Sequence, residues 1–286
     1  MIQMPIESMN MLMLNVGKAQ HNGDWNWKNV NSPFTRIYYV SEGEAKVKFT
    51  DKEVILRPRH LYIIPAYTTH SYECEGHFVH YYLHVYEGFK SEMNVMDFYE
   101  FPCEVDAREE EEHIFELLCH RFPVAKLADS NPQTYDNKTQ FTDYVKRYKD
   151  MELWEKMELR GAILLFFSRF IRKATLRVWT KDERLKKVLT HINRNIEKNI
   201  EVKELAELAY VTKSYLIRMF KKEFGTSPIQ YINKKKVEKA QLLLLTTDKS
   251  IKDVAYTLGY NDHSYFIRMF RKISGTTPQE YRMNLR

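Results

Sequence analysis

The chain has 286 residues, 44% hydrophobic and 29% charged, with 44 Lys and Arg against 38 Asp and Glu for a net charge of +6. That length predicts two domains, each large enough for its own core. Three widely spaced cysteines (Cys74, Cys103, Cys119) without a Cys-x-x-Cys pair support neither a disulfide framework nor a zinc site, and the longest apolar run, AILLFF at 162–167, is far too short to span a bilayer.

The opening MIQMPIESMNMLML has an early acidic residue, no basic start and too little apolar length for a secretory leader, so a cytoplasmic protein is expected. Residues 35–49 (TRIYYVSEGEAKVKF) then set Ala45, Val47 and Phe49 in alternation with Lys46 and Lys48, the period of a strand, with Ser-Glu-Gly-Glu as the hairpin turn. Further strands are predicted at 53–56, 61–64 and 77–86. Short strands with almost no helical pattern before residue 105 indicate a small all-β barrel or sandwich. His80 and His84 are four apart on one strand and share a face with Tyr82 and Tyr86. With His70 they raise three readings: a three-histidine metal site, a polar aromatic-lined pocket, or side chains that satisfy one another in a wet barrel. The pocket is the favoured reading, because converging Tyr and His side chains suit a small polar ligand. No metal and no cofactor are expected.

Helical patterning starts at residue 106. Glu109 to Glu112 open one helix, well placed near a positive N-terminal dipole, and DSNPQTYDN at 129–137 is a polar loop. A second helix is predicted over 140–173. There Trp154, Met157, Gly161, Leu164, Ser168 and Ile171 recur at steps of 3 and 4, a heptad seam suited to a partner helix or to burial against the barrel. Residues 174–182 read as a linker.

The last third is written twice. SYLIRMFKKEFGTSPIQY at 214–231 returns 50 residues later as SYFIRMFRKISGTTPQEY, with 11 of 18 positions identical. On a helical wheel Leu216, Met219, Phe220 and Phe224 form an apolar stripe, as do Phe266, Met269, Phe270 and Ile273. The opposite face carries Ser214, Ile217, Arg218 and Lys221, matched by Ser264, Ile267, Arg268 and Arg271, flanked by Lys213, Lys222, His263 and Lys272. Thr212 and Asp262 stand at the N-cap positions and Gly225 and Gly275 at the stops, and Ser227-Pro228 and Thr277-Pro278 start new helices. Short amphipathic helices around Ala206 and Ala255 precede each copy. Short helix, turn and basic helix is the helix-turn-helix arrangement, whose second helix enters the DNA major groove. A connecting helix at 229–245 would brace the two modules, and Lys234, Lys235, Lys236 and Lys239 on it read as phosphate contacts or as a solvated face. From residue 181 onward 22 Lys and Arg face 12 Asp and Glu, against 22 and 26 in the remainder, so the basic charge sits where phosphate would be met.

Residues 183–286 resemble the DNA-binding domain of the AraC/XylS family of bacterial transcription regulators, most clearly at Ile251, Val254-Ala255, Leu258-Gly259-Tyr260, Asp262, Ser264-Tyr265-Phe266, Arg268, Phe270, Gly275, Thr276, Pro278 and Tyr281-Arg282. RPRHLYIIPAYTTHSY at 57–72 is similar to the second conserved segment of a cupin barrel, with Pro65 and His70 in place, but with Arg59 and Tyr67 where glycines are usual. The resemblance implies a multidomain α+β protein. Residues 1–105 would form a cupin-like sensing barrel, 106–173 a helical dimerisation segment, 174–182 the linker, and 183–286 an all-α domain of seven helices with two helix-turn-helix motifs. It further implies a homodimer that contacts double-stranded DNA and RNA polymerase, most often as an activator, under control of a sugar or other polar metabolite. Tyr72, His80 and Tyr82 lead the effector contacts, with Arg36, His70 and His84 behind them. Arg218 and Arg268 are expected on base edges, supported by Ser214, Ser264 and His263. Ile217 and Ile267 would meet thymine methyls, and Lys221, Lys222, Arg271 and Lys272 phosphate. The competing reading, a metal-dependent cupin enzyme with an accessory tail, is disfavoured because the strand RIYYV carries no His-x-His pair.

Overall fold

The computed structural model describes residues 6, 9, 11–87, 95–136, 138–177 and 182–283. The chain divides into two units, 9–91 with 99–175, and 1–8 with 92–98 and 176–286.

The first unit is built on β1 (Met11–Asn22), β2 (Thr35–Gly43), β3 (Ala45–Lys48), β4 (Glu53–Leu56), β5 (His60–Ile64), β6 (Ser71–Glu73), β7 (His77–Glu87), β8 (Tyr99–Glu100) and β9 (Glu104–Asp106). One sheet runs β1-β7-β2-β5-β9 and a second β4-β3-β6. Between them Tyr38, Val40, Tyr62, Ile64, Phe78 and Tyr82 of the large sheet meet Val47, Leu56 and Tyr72 of the small one. The alternate residues of β2 and β7 do not face water. Tyr39 and Tyr81 lie against Phe115 of α2 (Glu109–Arg121), which packs in turn on Phe166 of α5 (Leu153–Ile171). Strands covered on both faces lose the apolar–polar alternation.

That double burial hid β1, which sequence periodicity does not predict and which pairs along nearly its whole length with β7. Two further expectations are corrected. The single helix over 140–173 is two, α4 (Lys138–Asp150) and α5, separated where the Glu152 backbone N–H donates to Glu155 Oε2 at 2.7 Å and starts the second. The polar loop at 129–137 contains a turn of helix, α3 (Pro132–Tyr135), and Asn137 lies outside the described residues. The linker at 174–182 begins with a short strand, β10 (Thr175–Leu176), and 178–181 lie outside the described residues, as does most of the first ten.

The second unit contains α1 (Val95–Phe98) and the run α6 (Glu183–Arg194), α7 (Val202–Leu208), α8 (Lys213–Phe224), α9 (Pro228–Thr246), α10 (Ile251–Thr257), α11 (His263–Ser274) and α12 (Pro278–Met283). Its repeats bury separate cores. Leu205, Ala206, Leu216 and Phe220 gather around one, and Val254, Ala255, Phe266 and Phe270 around the other. Helix α9, about 28 Å long at 1.5 Å per residue, sends Ile232 into the first and Val237, Ala240 and Leu244 into the second. The caps form as their residue types demand. Thr212 Oγ1 accepts from the Tyr215 N–H at 3.2 Å, Asp262 Oδ1 accepts from the Ser264 N–H at 2.7 Å, and Gly225 and Gly275 take left-handed conformations. One residue departs from its expected face: Ile273, at the C-terminal end of its stripe, is 38% exposed.

Candidate nucleic-acid interface and barrel cavity

Helices α8 and α11 are each anchored by their apolar stripe, and the cap before them fixes where they begin. Lys213, Ser214, Arg218, Lys221 and Lys222 are exposed on α8, and His263, Ser264, Arg268, Arg271 and Lys272 are exposed at the matching positions of α11. Ile217 and Ile267 are half-buried at the edge of this face, and Ile267 packs against the second core. All twelve sequence-selected residues therefore lie on the two helices at their surface or its edge.

The geometry adds a pair that the sequence reading passed over. The Arg218 guanidinium lies over the Tyr215 ring at 5.5 Å, and the Arg268 guanidinium over the Tyr265 ring at 5.9 Å. Stacking of this kind holds an arginine fork by its flat face and leaves the N–H edge to donate. The signal was present, since Ser-Tyr-x-Ile-Arg occurs in both copies.

The row of lysines on α9 is not a phosphate-facing stripe. Lys235 pairs with Glu238 at 3.3 Å and Lys239 with Glu197 at 2.7 Å. Lys236 is 3% exposed and gives its ammonium to the Lys198 carbonyl at 2.8 Å. Lys234 alone of the four is exposed.

In the first unit a cavity of about 290 Å³ opens beside the barrel core, lined by Lys18, His21, Trp25, Tyr38, His80, Tyr82, His84 and Tyr135 among others. Three of the six sequence-selected ligand residues, His80, Tyr82 and His84, line it. They project from alternate positions of β7, opposite Val40, Tyr38 and Arg36 of β2. Tyr72 and His70 stand behind the wall. The Tyr72 ring stacks on Trp25 with centroids 4.0 Å apart. Its hydroxyl shares a 2.7 Å hydrogen bond with Tyr38 Oη and another of 2.7 Å with His70 Nε2. The donors in this chain can be assigned. His70 Nδ1 must carry the proton, because it sits 2.7 Å from the Thr68 carbonyl. Burial, and then the Arg36 charge, depress His70 to about 3, so the ring is neutral and Nε2 accepts from Tyr72. Tyr72 in turn accepts from Tyr38.

His80 and His84 are likewise held well below the ordinary histidine range by burial, and His21 is lowered by the same cause. His80 Nδ1, His84 Nδ1 and His21 Nε2 are buried ring nitrogens without a hydrogen-bond partner. Neutral imidazoles with spare capacity can donate to or accept from a bound polar molecule. Among the described residues no group of three or more His, Cys, Asp or Glu is placed to hold a metal ion, and no helix is long and apolar enough to cross a membrane. His21, Trp25, Tyr38 and Tyr135 are cavity residues the sequence did not flag. Tyr38 was within reach, since it lies two residues from Arg36 on the same strand.

Arg36 is buried behind this wall. Its Nη2 donates to Ser32 Oγ at 2.6 Å and to Asp136 Oδ2 at 3.1 Å, and its guanidinium lies over the Phe34 ring at 4.7 Å.

Comparisons with known proteins match both units. A family model described as an AraC-like ligand binding domain covers residues 17–89, and one described as a helix-turn-helix domain covers 205–284. The lactose operon transcription activator of Staphylococcus xylosus is 33% identical over 81 residues, which are 28% of this chain and 29% of that protein. The XylDLEGF operon transcriptional activator 2 of Pseudomonas putida is 35% identical over 77 residues, or 26% of this chain and 49% of that protein. The match thus spans less than half the length of either relative. Among solved structures, ToxT from Vibrio cholerae O395 aligns over 96% of this chain and 98% of its own, with 14% identity and a TM-score of 0.52, a likeness of fold.

Proposed function

This chain belongs to the AraC/XylS family of transcription regulators, and from that premise we propose that it binds specific double-stranded DNA through α8 and α11 under control of a small molecule held in the barrel cavity. The observation that carries the reading is the duplicated exposed face. The same Ser, Ile, Arg and basic residue stand at matching positions of two capped helices, each fixed to its own core. A solvated helix face has no reason to be repeated residue for residue. Arg218 and Arg268 would read base edges, for which a guanidinium fork suits the paired acceptors of guanine. Ser214, Ser264 and His263 would assist, and Ile217 and Ile267 would touch thymine methyls. Lys213, Lys221, Lys222, Arg271 and Lys272 would hold phosphates, which sets register and steep salt dependence.

The cavity supports a polar effector, a sugar or a similarly sized metabolite, because its buried imidazoles are neutral and have hydrogen-bonding capacity to spare beside the Trp25 ring. His80, Tyr82 and His84 would contact it directly, while Tyr72, His70 and Arg36 would set the orientation and charge of the wall. The name of the Staphylococcus xylosus relative, a lactose operon transcription activator, agrees with a sugar and with activation; contact with RNA polymerase and a cytoplasmic location are part of the same proposal. Dimerisation fits α5, where Trp154 and Met157 are 53% and 66% exposed while Leu159, Ile163, Phe166 and Phe170 bury the other face. The test is a footprint on a cognate promoter with and without effector. Protection in two consecutive major grooves, strengthened by effector, is the expected result; protection by a single module overturns the reading.

A further inference from the structure

Arg36 is 1% exposed, a costly place for a permanent charge unless it is paired. Its partner comes from 100 residues away, the Asp136 carboxylate just after α3. Ser32 Oγ donates to the same carboxylate oxygen, so both contacts converge on Oδ2. The fit is incomplete. Arg36 Nε and Asp136 Oδ1 are both buried and both lack a hydrogen-bond partner, although a guanidinium and a carboxylate are shaped to meet through two parallel bonds. Burial also lifts the Asp136 carboxyl above its ordinary range, against the pull of Arg36.

Asp136 ends a segment that borders the cavity. Lys126 to Ser130 and Tyr135 line it, the Leu127 N–H donates to Tyr82 Oη at 2.8 Å, and the Tyr135 ring lies on His84 with centroids 5.5 Å apart. The same segment leads directly into α4.

We propose that the Asp136 side chain is an internal stand-in for the carboxylate of the effector. The barrel would then take a small hydroxylated organic acid, whose carboxylate displaces Asp136 from Arg36 and Ser32 and frees residues 126–136. Exchanging one carboxylate for another leaves the buried guanidinium compensated throughout, and a ligand able to fill both Nη2 and Nε improves on the one-sided contact now present. A neutral ligand that displaced Asp136 would strand the Arg36 charge, and a cation would be repelled by it. The neutral imidazoles and the Tyr38 hydroxyl then meet the hydroxyl groups of the acid. This deepens the proposal that the barrel binds an effector, and rests on it.

Chemical rescue in the full-length chain tests the idea. Asp136→Ala empties the position beside Arg36, and formate or acetate should then raise the melting temperature saturably, by about 2–4 °C. Acetamide, or sodium chloride at equal ionic strength, should not, and the wild-type chain should respond less because Asp136 occupies the site. Should Asp136→Ala fail to give folded protein by far-ultraviolet circular dichroism, Asp136→Ser also vacates most of the carboxylate's position while keeping a polar side chain, and the same comparison applies. Indistinguishable responses to acetate and acetamide in the folded variant overturn the proposal. They would leave the effector reading standing, because that reading is tested separately by any neutral metabolite that stabilises the wild-type chain.

Discussion

The Lys236 ammonium on α9 donates to the backbone carbonyl of Lys198, 2.8 Å away in the turn after α6, and this bond sits at the junction of the two helix-turn-helix modules. The same ammonium lies 4.9 Å from the centre of the Tyr260 ring. Tyr260 Oη donates to Asn233 Oδ1 at 3.2 Å, and Asn233 Nδ2 donates to Tyr265 Oη at 3.4 Å. A polar network thus runs from the first module through α9 to the first turn of α11. Networks of this kind fix one arrangement where purely apolar packing would tolerate several, and the proposed engagement of one duplex by α8 and α11 requires a single arrangement.

Burial holds Lys236 down to about 8, and the sign of its effect follows. Between about pH 8 and the ordinary lysine value near 10.4, the unfolded chain binds a proton that the folded chain has released, so stability contributed through this group rises with pH across that window. Below it both states are protonated and the desolvation cost is fully present. Urea midpoints of wild type and Lys236→Met, compared at pH 7 and pH 10, should show the wild type gaining on the variant at the higher pH. A constant difference would show that Lys236 is not desolvated.

Arg268→Ala should weaken binding to the specific site by about 1–3 kcal/mol and relax preference at one base position. Lys272→Ala should weaken binding to all sequences alike and lower the salt slope by about one. Titrations against a cognate site and a set of single-base variants check both. An equal loss on every DNA after Arg268→Ala would move that residue from base reading to phosphate contact.

Helices α8 and α11 were legible because their signals are local and doubled: caps, stops and apolar stripes lie within twelve or so residues and appear in both copies. The cavity was half legible, for a physical reason. His80, Tyr82 and His84 follow from strand alternation, whereas Tyr135 and Asp136 arrive from another part of the chain, and no local period announces a contact across 100 residues. Strand β1 was invisible because both faces of its first seven residues are covered. The lysines of α9 misled because charge alone does not say whether a long stem ends in water or at a carbonyl. Arg59 and Tyr67 are instructive. They replace glycines usual in the resembling segment, yet the backbone keeps φ of 62° and 59° there, so the turn geometry persists without the residue that adopts it most readily.

The exposed face of α5 carries the dimer proposal. Met157→Glu removes an apolar side chain that touches little of its own unit, so the stability of the monomer should change by less than about 0.5 kcal/mol. The sedimentation profile should nevertheless shift from dimer to monomer. Gly161, with no heavy atom within 4 Å of where a Cβ would stand, leaves room for a second helix to approach closely, and Gly161→Leu should weaken the dimer in the same assay. A wild-type chain that sediments as a monomer at every concentration would remove this role from α5.

The two helix-turn-helix turns use the left-handed backbone differently, and a pair of substitutions should separate them. Tyr210 holds φ of 53° while 89% exposed, so Tyr210→Gly relieves a conformation that costs an ordinary side chain about 1–2 kcal/mol and gives up almost no packing. Part of that gain is offset by the greater freedom of glycine in the unfolded chain, leaving a net stabilisation of about 0.5–1 kcal/mol. Gly259 holds φ of 68° against the first module, where an added Cβ would overlap the carbonyl carbon of Lys198, the group that Lys236 engages. Gly259→Ala therefore meets both the backbone penalty and a backbone obstruction, and should destabilise by about 2 kcal/mol or more while loosening the junction between modules. Urea unfolding of the full-length chain, followed by far-ultraviolet circular dichroism, should move the helical transition up for the first variant and down for the second. A Gly259→Ala chain as stable as wild type would mean that the second turn does not rest on the first module, and the fixed spacing of α8 and α11 would need another cause.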